Sequence, residues 1–172
     1  IVMLVLLALA AWTTAWGPRL FGLALLALAL WLLRQDIARR TVRQQGLTRF
    51  IAVCLLVGYG WLSFGGALIA SAGLAPGGPA YDAALHALLL GFVFSMVFGH
   101  APIIFPAVLR VSLAYHPGFY APLALLHASL LLRVAGDAAG QPGWTRWGAL
   151  LSALALLAFI ANTAAAVLRA RR

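Results

Sequence analysis

The sequence predicts an all-α, polytopic transmembrane helix bundle of about six spans. Three observations lead there. Of the 172 residues, 65% are hydrophobic and only 9% are charged, whereas a soluble domain carries roughly 25% charged residues and could not withdraw this much apolar side chain from water. The apolar residues fall in long runs broken by Gly, Pro and Arg, many of them near the ~20 residues that a helix needs to cross ~30 Å of hydrocarbon. All twelve basic residues are Arg, placed mainly at the ends of those runs. The net charge of +9 therefore does not indicate nucleic acid, which requires a basic face on a soluble module. Arginines that flank spans orient the protein and meet anionic head groups.

The chain reads as one transmembrane domain, 1–172. The run 1–16 is expected to be the remainder of a first span that begins before Ile1, and Gly17-Pro18 should break it. The second run is 20–34 and the third 47–74. Between them, 35–46 is a cytoplasmic loop, and the stretch from Arg34 to Arg49 holds five Arg and one Asp. Pro76-Gly77-Gly78-Pro79 is a loop. The fourth run, 81–111, is the longest, with Pro102 and Pro106 expected to interrupt it. His116-Pro117-Gly118 makes the next turn, 119–135 is the fifth run, and 145–168 is the sixth. In the third run Ser63, Ala67 and Ser71, with Gly66 and Ala70 beside them, suit close helix packing. Asn162 and Thr163 are expected to hydrogen-bond across or along helices. Cys54, the only cysteine, reads as a small buried hydrophobe.

With the N-terminus inside, nine arginines (Arg34, Arg39, Arg40, Arg43, Arg49, Arg110, Arg169, Arg171, Arg172) fall on one side and three (Arg19, Arg133, Arg146) on the other. The positive-inside rule then puts both termini in the cytoplasm of a bacterial-type inner membrane. Trp12, Trp16, Trp61, Tyr81, Tyr115, Tyr120, Trp144 and Trp147 are expected as interfacial anchors.

Side chains able to do chemistry are few. None of the three acids, Asp36, Asp82 and Asp137, lies deep in a span, which leaves no parts for a carboxylate relay or a paired-carboxylate hydrolase. There is no Ser/His/Asp set, zinc-type cluster or phosphate loop, so no complete catalytic site is visible. Three of the four histidines, His86, His100 and His127, lie in apolar runs, and an ionisable group in a span points to function. His86 and His100 are fourteen residues apart, about 40° short of four full turns, so an unbroken α-helix puts both on roughly one face, ~21 Å apart. They cannot share a metal ion. Counting from the inner turn pairs His127 with His100; counting from the outer ends pairs it with His86. Either pairing holds two imidazoles at one level between spans four and five, the arrangement that grips a bis-histidine haem, with at most two ligands per iron. Phe92, Phe94, Phe98 and Phe105 would suit the porphyrin edge, and Gly91 and Gly99 would make room for it. Arg133 or Arg146 could meet the propionates, although Arg133 and Asp137, four apart, could instead pair with each other. His116 is expected to be interfacial.

The stretch from His86 to Pro106, HALLLGFVFSMVFGHAPIIFP, resembles a haem-ligating helix of haem–copper oxidase subunit I and of its nitric-oxide-response haem and copper relatives. It has the His, the Gly about one and a half turns later, the Phe- and Met-rich stretch, a second Gly and the closing aromatic-Pro, over 21 of the 172 residues. The resemblance implies that His86 is a low-spin haem ligand. The chain departs from the family at Ala84, where a second His would stand, and in lacking a His-Pro-Glu-type motif and a His-His pair. His116-Pro117 is followed by Gly118. A copper centre and oxygen reduction by this chain alone are therefore not implied. The expectation is a b-type haem protein for electron transfer or small-gas sensing, within the lipid bilayer and with other membrane subunits as partners. A cofactor-free accessory subunit is the alternative, and a small transporter the third reading.

Overall fold

The computed structural model describes residues 16–170. Among them the chain is helical with no strand, and five helices are long and apolar enough to cross a bilayer. The protein is a multi-pass, all-α membrane bundle. The expected first span, 1–16, lies outside the described residues apart from Trp16.

Helix α1 covers Gly17–Gln35. Gly17-Pro18 opens it rather than breaking the chain, because a proline in the first helical turn forfeits no hydrogen bond. The connector that follows is folded. It carries the short helix α2, Ala38–Thr41, and Asp36 anchors it. One Asp36 oxygen accepts the Ala38 N–H at 2.7 Å and the other accepts the Tyr59 hydroxyl. Helix α3, Gly46–Ala72, ends at Gly73, whose φ of 76° a side chain would resist.

Span four is continuous over 31 residues. It comprises α4 (Pro79–His86), a π-helical segment (Ala87–Val93) and α5 (Phe94–Leu109). The helix runs through Pro102 and Pro106 where an interruption was expected. Membrane helices tolerate such prolines because local adjustments and neighbours re-satisfy the freed carbonyls. Arg110, at φ 53°, is the left-handed cap. A 3₁₀ turn, Pro117–Phe119, leads into α6, Tyr120–Ala139. This is a turn longer than expected, so Arg133 and Asp137 are both helical. Helix α7, Pro142–Ala170, completes the bundle.

The helices pack in the order α1, α3, span four, α6, α7, with α3 central and α6–α7 a tight hairpin. Phe50, Cys54, Phe98, Leu126 and Phe159 are buried together in one half of the bundle; Cys54 is the small buried hydrophobe expected of it. Small residues set the closest contact, but on a different face from Ser63, Ala67 and Ser71. Ser63 and Ser71 turn their hydroxyls onto carbonyls of their own helix. The seam with α1 runs through Gly66 and Gly22. A Cβ on Gly22 would lie 2.3 Å from the Ala70 nitrogen and 2.7 Å from the Gly66 oxygen. At backbone-to-backbone contact no side chain can move aside, and in lipid such close approach is what holds helices together. In α7, Thr163 bonds the Phe159 carbonyl at 2.8 Å, while the buried Asn162 Nδ2 finds no protein partner among the described residues.

Replacing Gly22 or Gly66 with Leu is expected to part α1 from α3, at a cost of about 1–3 kcal/mol or more. Leu at Gly60, whose Cβ position is open, is the control that should change little. Thermal unfolding of the three variants in one detergent checks this.

Candidate functional site

The structure brings polar groups together where span four meets α6 and α3. Pro79 starts α4 in the first-turn position proline favours, and this sets Asp82 opposite α6. Arg133 of α6 reaches across and donates from Nε to Asp82 Oδ2 at 3.0 Å and from Nη2 to Oδ1 at 3.1 Å. A two-pronged guanidinium–carboxylate contact is the strong form of an ion pair. Arg133 therefore belongs to Asp82 and not to Asp137, its neighbour four residues on, and it is not free for a propionate. Asp137 accepts the Thr145 hydroxyl at 3.1 Å. Its other oxygen is buried without a protein partner. Asp82, Asp137, Thr145 and Arg146 line a cavity of 480 Å³ at this end of the bundle, roofed by glycines of the flanking loops.

One turn below Asp82, His86 closes α4. Its Nδ1 lies 2.8 Å from the Asp82 carbonyl and 3.4 Å from the Asp82 carboxylate. His100 repeats the contact in α5, with Nδ1 2.7 Å from the Met96 carbonyl. A carbonyl can only accept, so in both neutral rings Nδ1 carries the proton and Nε2 keeps its lone pair. This tautomer leaves Nε2 able to bind a metal. His86 is partly exposed and His100 exposed. With Nδ1 turned to the backbone, Nε2 is the nitrogen left to face away from it.

His127 has the opposite chemistry. The Trp61 indole N–H donates to His127 Nδ1 at 3.0 Å, with the rings 17° from parallel. An indole nitrogen only donates, so Nδ1 is the acceptor, and the proton of the neutral ring sits on Nε2. That nitrogen is buried with no protein partner among the described residues. Trp61, expected as an interfacial anchor, is instead only 8% exposed and mid-helix. His116 accepts the Gly118 N–H at 3.0 Å and caps the 3₁₀ turn.

The π segment changes the register between the two span-four histidines. A π-bulge holds one extra residue in its turn, so everything beyond it lags by about 100°. The expected offset of about 40° between His86 and His100 becomes about 140°, and they leave the helix on different faces. His86 sits beside the Asp82–Arg133 pair. His100 faces outward with Val93, Val97 and Ile104, all exposed. The segment also lays Gly91 on the indole of Trp61, where a Cβ would meet Cγ at 2.4 Å. Gly99 likewise receives Cys54 of α3. Both glycines make room for α3 and not for a porphyrin. Of the four phenylalanines, Phe94, Phe98 and Phe105 line a groove between α5 and α7, and Phe92 packs against the cluster of Trp61, Ala87 and Leu130.

A bis-histidine haem between spans four and five does not fit this arrangement. Trp61, Ala87 and Leu130 pack together there, His127 presents a proton instead of a lone pair, and Arg133 is engaged. The donor chemistry of His86 and His100 would suit iron ligation through Nε2, one ring at a time. Among the described residues no group of three or more His, Cys, Asp or Glu could hold a metal ion.

Comparison with known proteins adds one match: the model of a family described as a domain of unknown function, DUF8744, covers residues 1–168. No curated protein and no solved structure matches the chain.

Two outcomes follow from this geometry. Arg133→Gln should destabilise the bundle by about 1–3 kcal/mol, because it strands a half-buried carboxylate. Adding Asp82→Asn to it should restore much of the loss in thermal unfolding. In ¹⁵N spectra of imidazole-labelled protein, His86 and His100 should report a proton on Nδ1 and His127 a proton on Nε2. Trp61→Phe, which removes the indole donor, should disturb the His127 signals alone.

Proposed function

The chain belongs to the DUF8744 family, and we propose that it is a haem b-carrying membrane subunit for electron transfer or small-gas sensing, in which His86, beside the Asp82–Arg133 pair, and His100, on the outward face, would hold haem iron. The observation that carries this reading is the pair of span-four imidazoles. Each has Nδ1 fixed to a carbonyl one turn back and an Nε2 that has no hydrogen-bond partner among the described residues. Each would supply one nitrogen ligand to one iron, and a partner subunit or a small gas would complete the site. When bound, the haem supplies a one-electron iron couple whose potential depends on burial and axial ligation. The residues of this chain contribute position. The Asp82 carbonyl orients His86, the Asp82–Arg133 clamp holds α4 against α6, and Trp61 keeps the space beneath closed. The resemblance of 86–106 to a haem-ligating helix supports His86 in the same role.

The membrane is of the bacterial inner type in this reading, with the arginine-rich end and both termini in the cytoplasm. Nine arginines against three support that orientation. A second reading, the cofactor-free accessory subunit, is favoured by one observation. His100 stands nine residues from the end of α5, ~14 Å along the helix. It is exposed there, where a partner's hydrogen bond would satisfy Nε2 as well as a metal would. Span four is continuous through Pro102 and Pro106, which removes the broken helix on which a small-transporter reading drew.

A reduced-minus-oxidised visible spectrum of the protein in detergent separates the two. The haem reading expects a Soret band that His86→Ala or His100→Ala diminishes by at least half and that His127→Ala leaves in place. Colourless protein that copurifies with other subunits supports the accessory reading.

A further inference from the structure

We propose that the groove between α5 and α7 is a binding site for one anionic phospholipid. Its acyl chain would lie along the groove, and its phosphate would meet Arg110 and Arg169. The groove encloses 590 Å³, and its lining is almost wholly apolar, with Phe94, Phe98, Phe105 and Leu109 on one wall and Phe159 and Leu168 on the other. Its floor is rigid, because Phe98 and Phe159 stack at 3.8 Å with their planes 7° apart. From Phe94 to Leu109 it runs ~22 Å at 1.5 Å per residue, more than the ~15 Å depth of one leaflet. It is therefore long enough to take an extended chain.

Charge at one end names the headgroup. Leu109 and Leu168 line that end, and the next residues are Arg110 and Arg169, both exposed. Two contacts hold the segments that carry them against each other. The segment after Arg110 bonds to the end of α7, from Ala114 N–H to the Ala166 carbonyl at 3.3 Å and from the Ser112 hydroxyl to the Ala170 carbonyl at 3.3 Å. Among the described residues no acid forms an ion pair with either arginine. The chain has three acids: Asp36 is held by Tyr59 and Ala38, Asp82 by Arg133, and Asp137 by Thr145. Basic sites between membrane helices select anionic head groups in this way. The lining itself offers no ligand to iron. It contains no histidine, and its one hydroxyl, on Thr163, is already given to the Phe159 carbonyl.

The test is native mass spectrometry of the detergent-purified protein titrated with dioleoyl phosphatidylglycerol and, in parallel, with dioleoyl phosphatidylcholine. The proposal expects a single phosphatidylglycerol adduct at roughly tenfold lower lipid concentration than the phosphatidylcholine adduct, the preference two arginines near a headgroup can supply. Arg110→Gln combined with Arg169→Gln should abolish the preference. Ala164→Trp, at an exposed position on the groove wall, should abolish both adducts. Thermal unfolding of each variant confirms that the bundle is intact. Equal retention of the two lipids by the unaltered protein would overturn the proposal. So would adducts that survive Ala164→Trp in a folded variant, or a lipid-free dimer, which would place a second copy in the groove.

Discussion

Inside a bilayer a polar atom has no water to turn to, and this one constraint organises the molecule. It makes every span a helix. It also dictates what the scarce polar side chains do. Ser63, Ser71 and Thr163 return their hydroxyls to their own helices. His86 and His100 return Nδ1 in the same way. Where a side chain cannot serve itself, it binds across helices: Trp61 to His127, Arg133 to Asp82, Ser129 to Ser152. The cross-helix bonds fix the relative heights of α3, span four and α6, and those heights decide which imidazole is available for chemistry. The same pressure separates the histidines chemically. A ring that bonds a carbonyl keeps its outer lone pair, and a ring that bonds an indole loses it.

Much of the fold was legible in the sequence because its cause is composition summed over ~20 residues. The span centres and loops follow from where apolar runs meet Gly, Pro and Arg. Boundaries moved where proline was read only as a breaker. Pro18, Pro79 and Pro142 each stand in the first turn of a helix, and Pro102 and Pro106 sit inside one. The site was less legible, for two physical reasons. Its bonds join residues far apart in the chain: Arg133 meets Asp82 over 51 residues, and Trp61 meets His127 over 66. Asp137, only four residues from Arg133, was the visible partner and the wrong one. The second reason is the π segment. Counting 100° per residue assumes an unbroken α-helix, and nothing in Ala87–Val93 announces otherwise. Gly91 and Gly99 suggest room for a porphyrin in the sequence, whereas Trp61 and Cys54 of α3 take that space.

The two ends of the bundle are built differently. The Asp82 end holds a compact cluster beside a loop-lined cavity, in which Arg133 clamps Asp82 and Thr145 bonds Asp137. The opposite end carries most of the arginines and has one nearby acid, Asp36, already bound to Tyr59 and Ala38. One end holds a bidentate Arg133–Asp82 pair, and the other leaves its positive charge for the surroundings. The division follows from a chain with twelve arginines and three acids, in which most arginines can have no acid to pair with.

The extra residue in span four has a consequence for how members of this family should be aligned. Deleting one residue between His86 and Phe94 would raise the lower half of the span by only ~1.5 Å but swing it by about 100°. Depth would hardly change, while His100 would face a different neighbour. An alignment that treats a one-residue gap there as neutral would equate chains whose lower imidazoles look in different directions. The length of this short stretch, more than its composition, sets the compass bearing of everything beneath it.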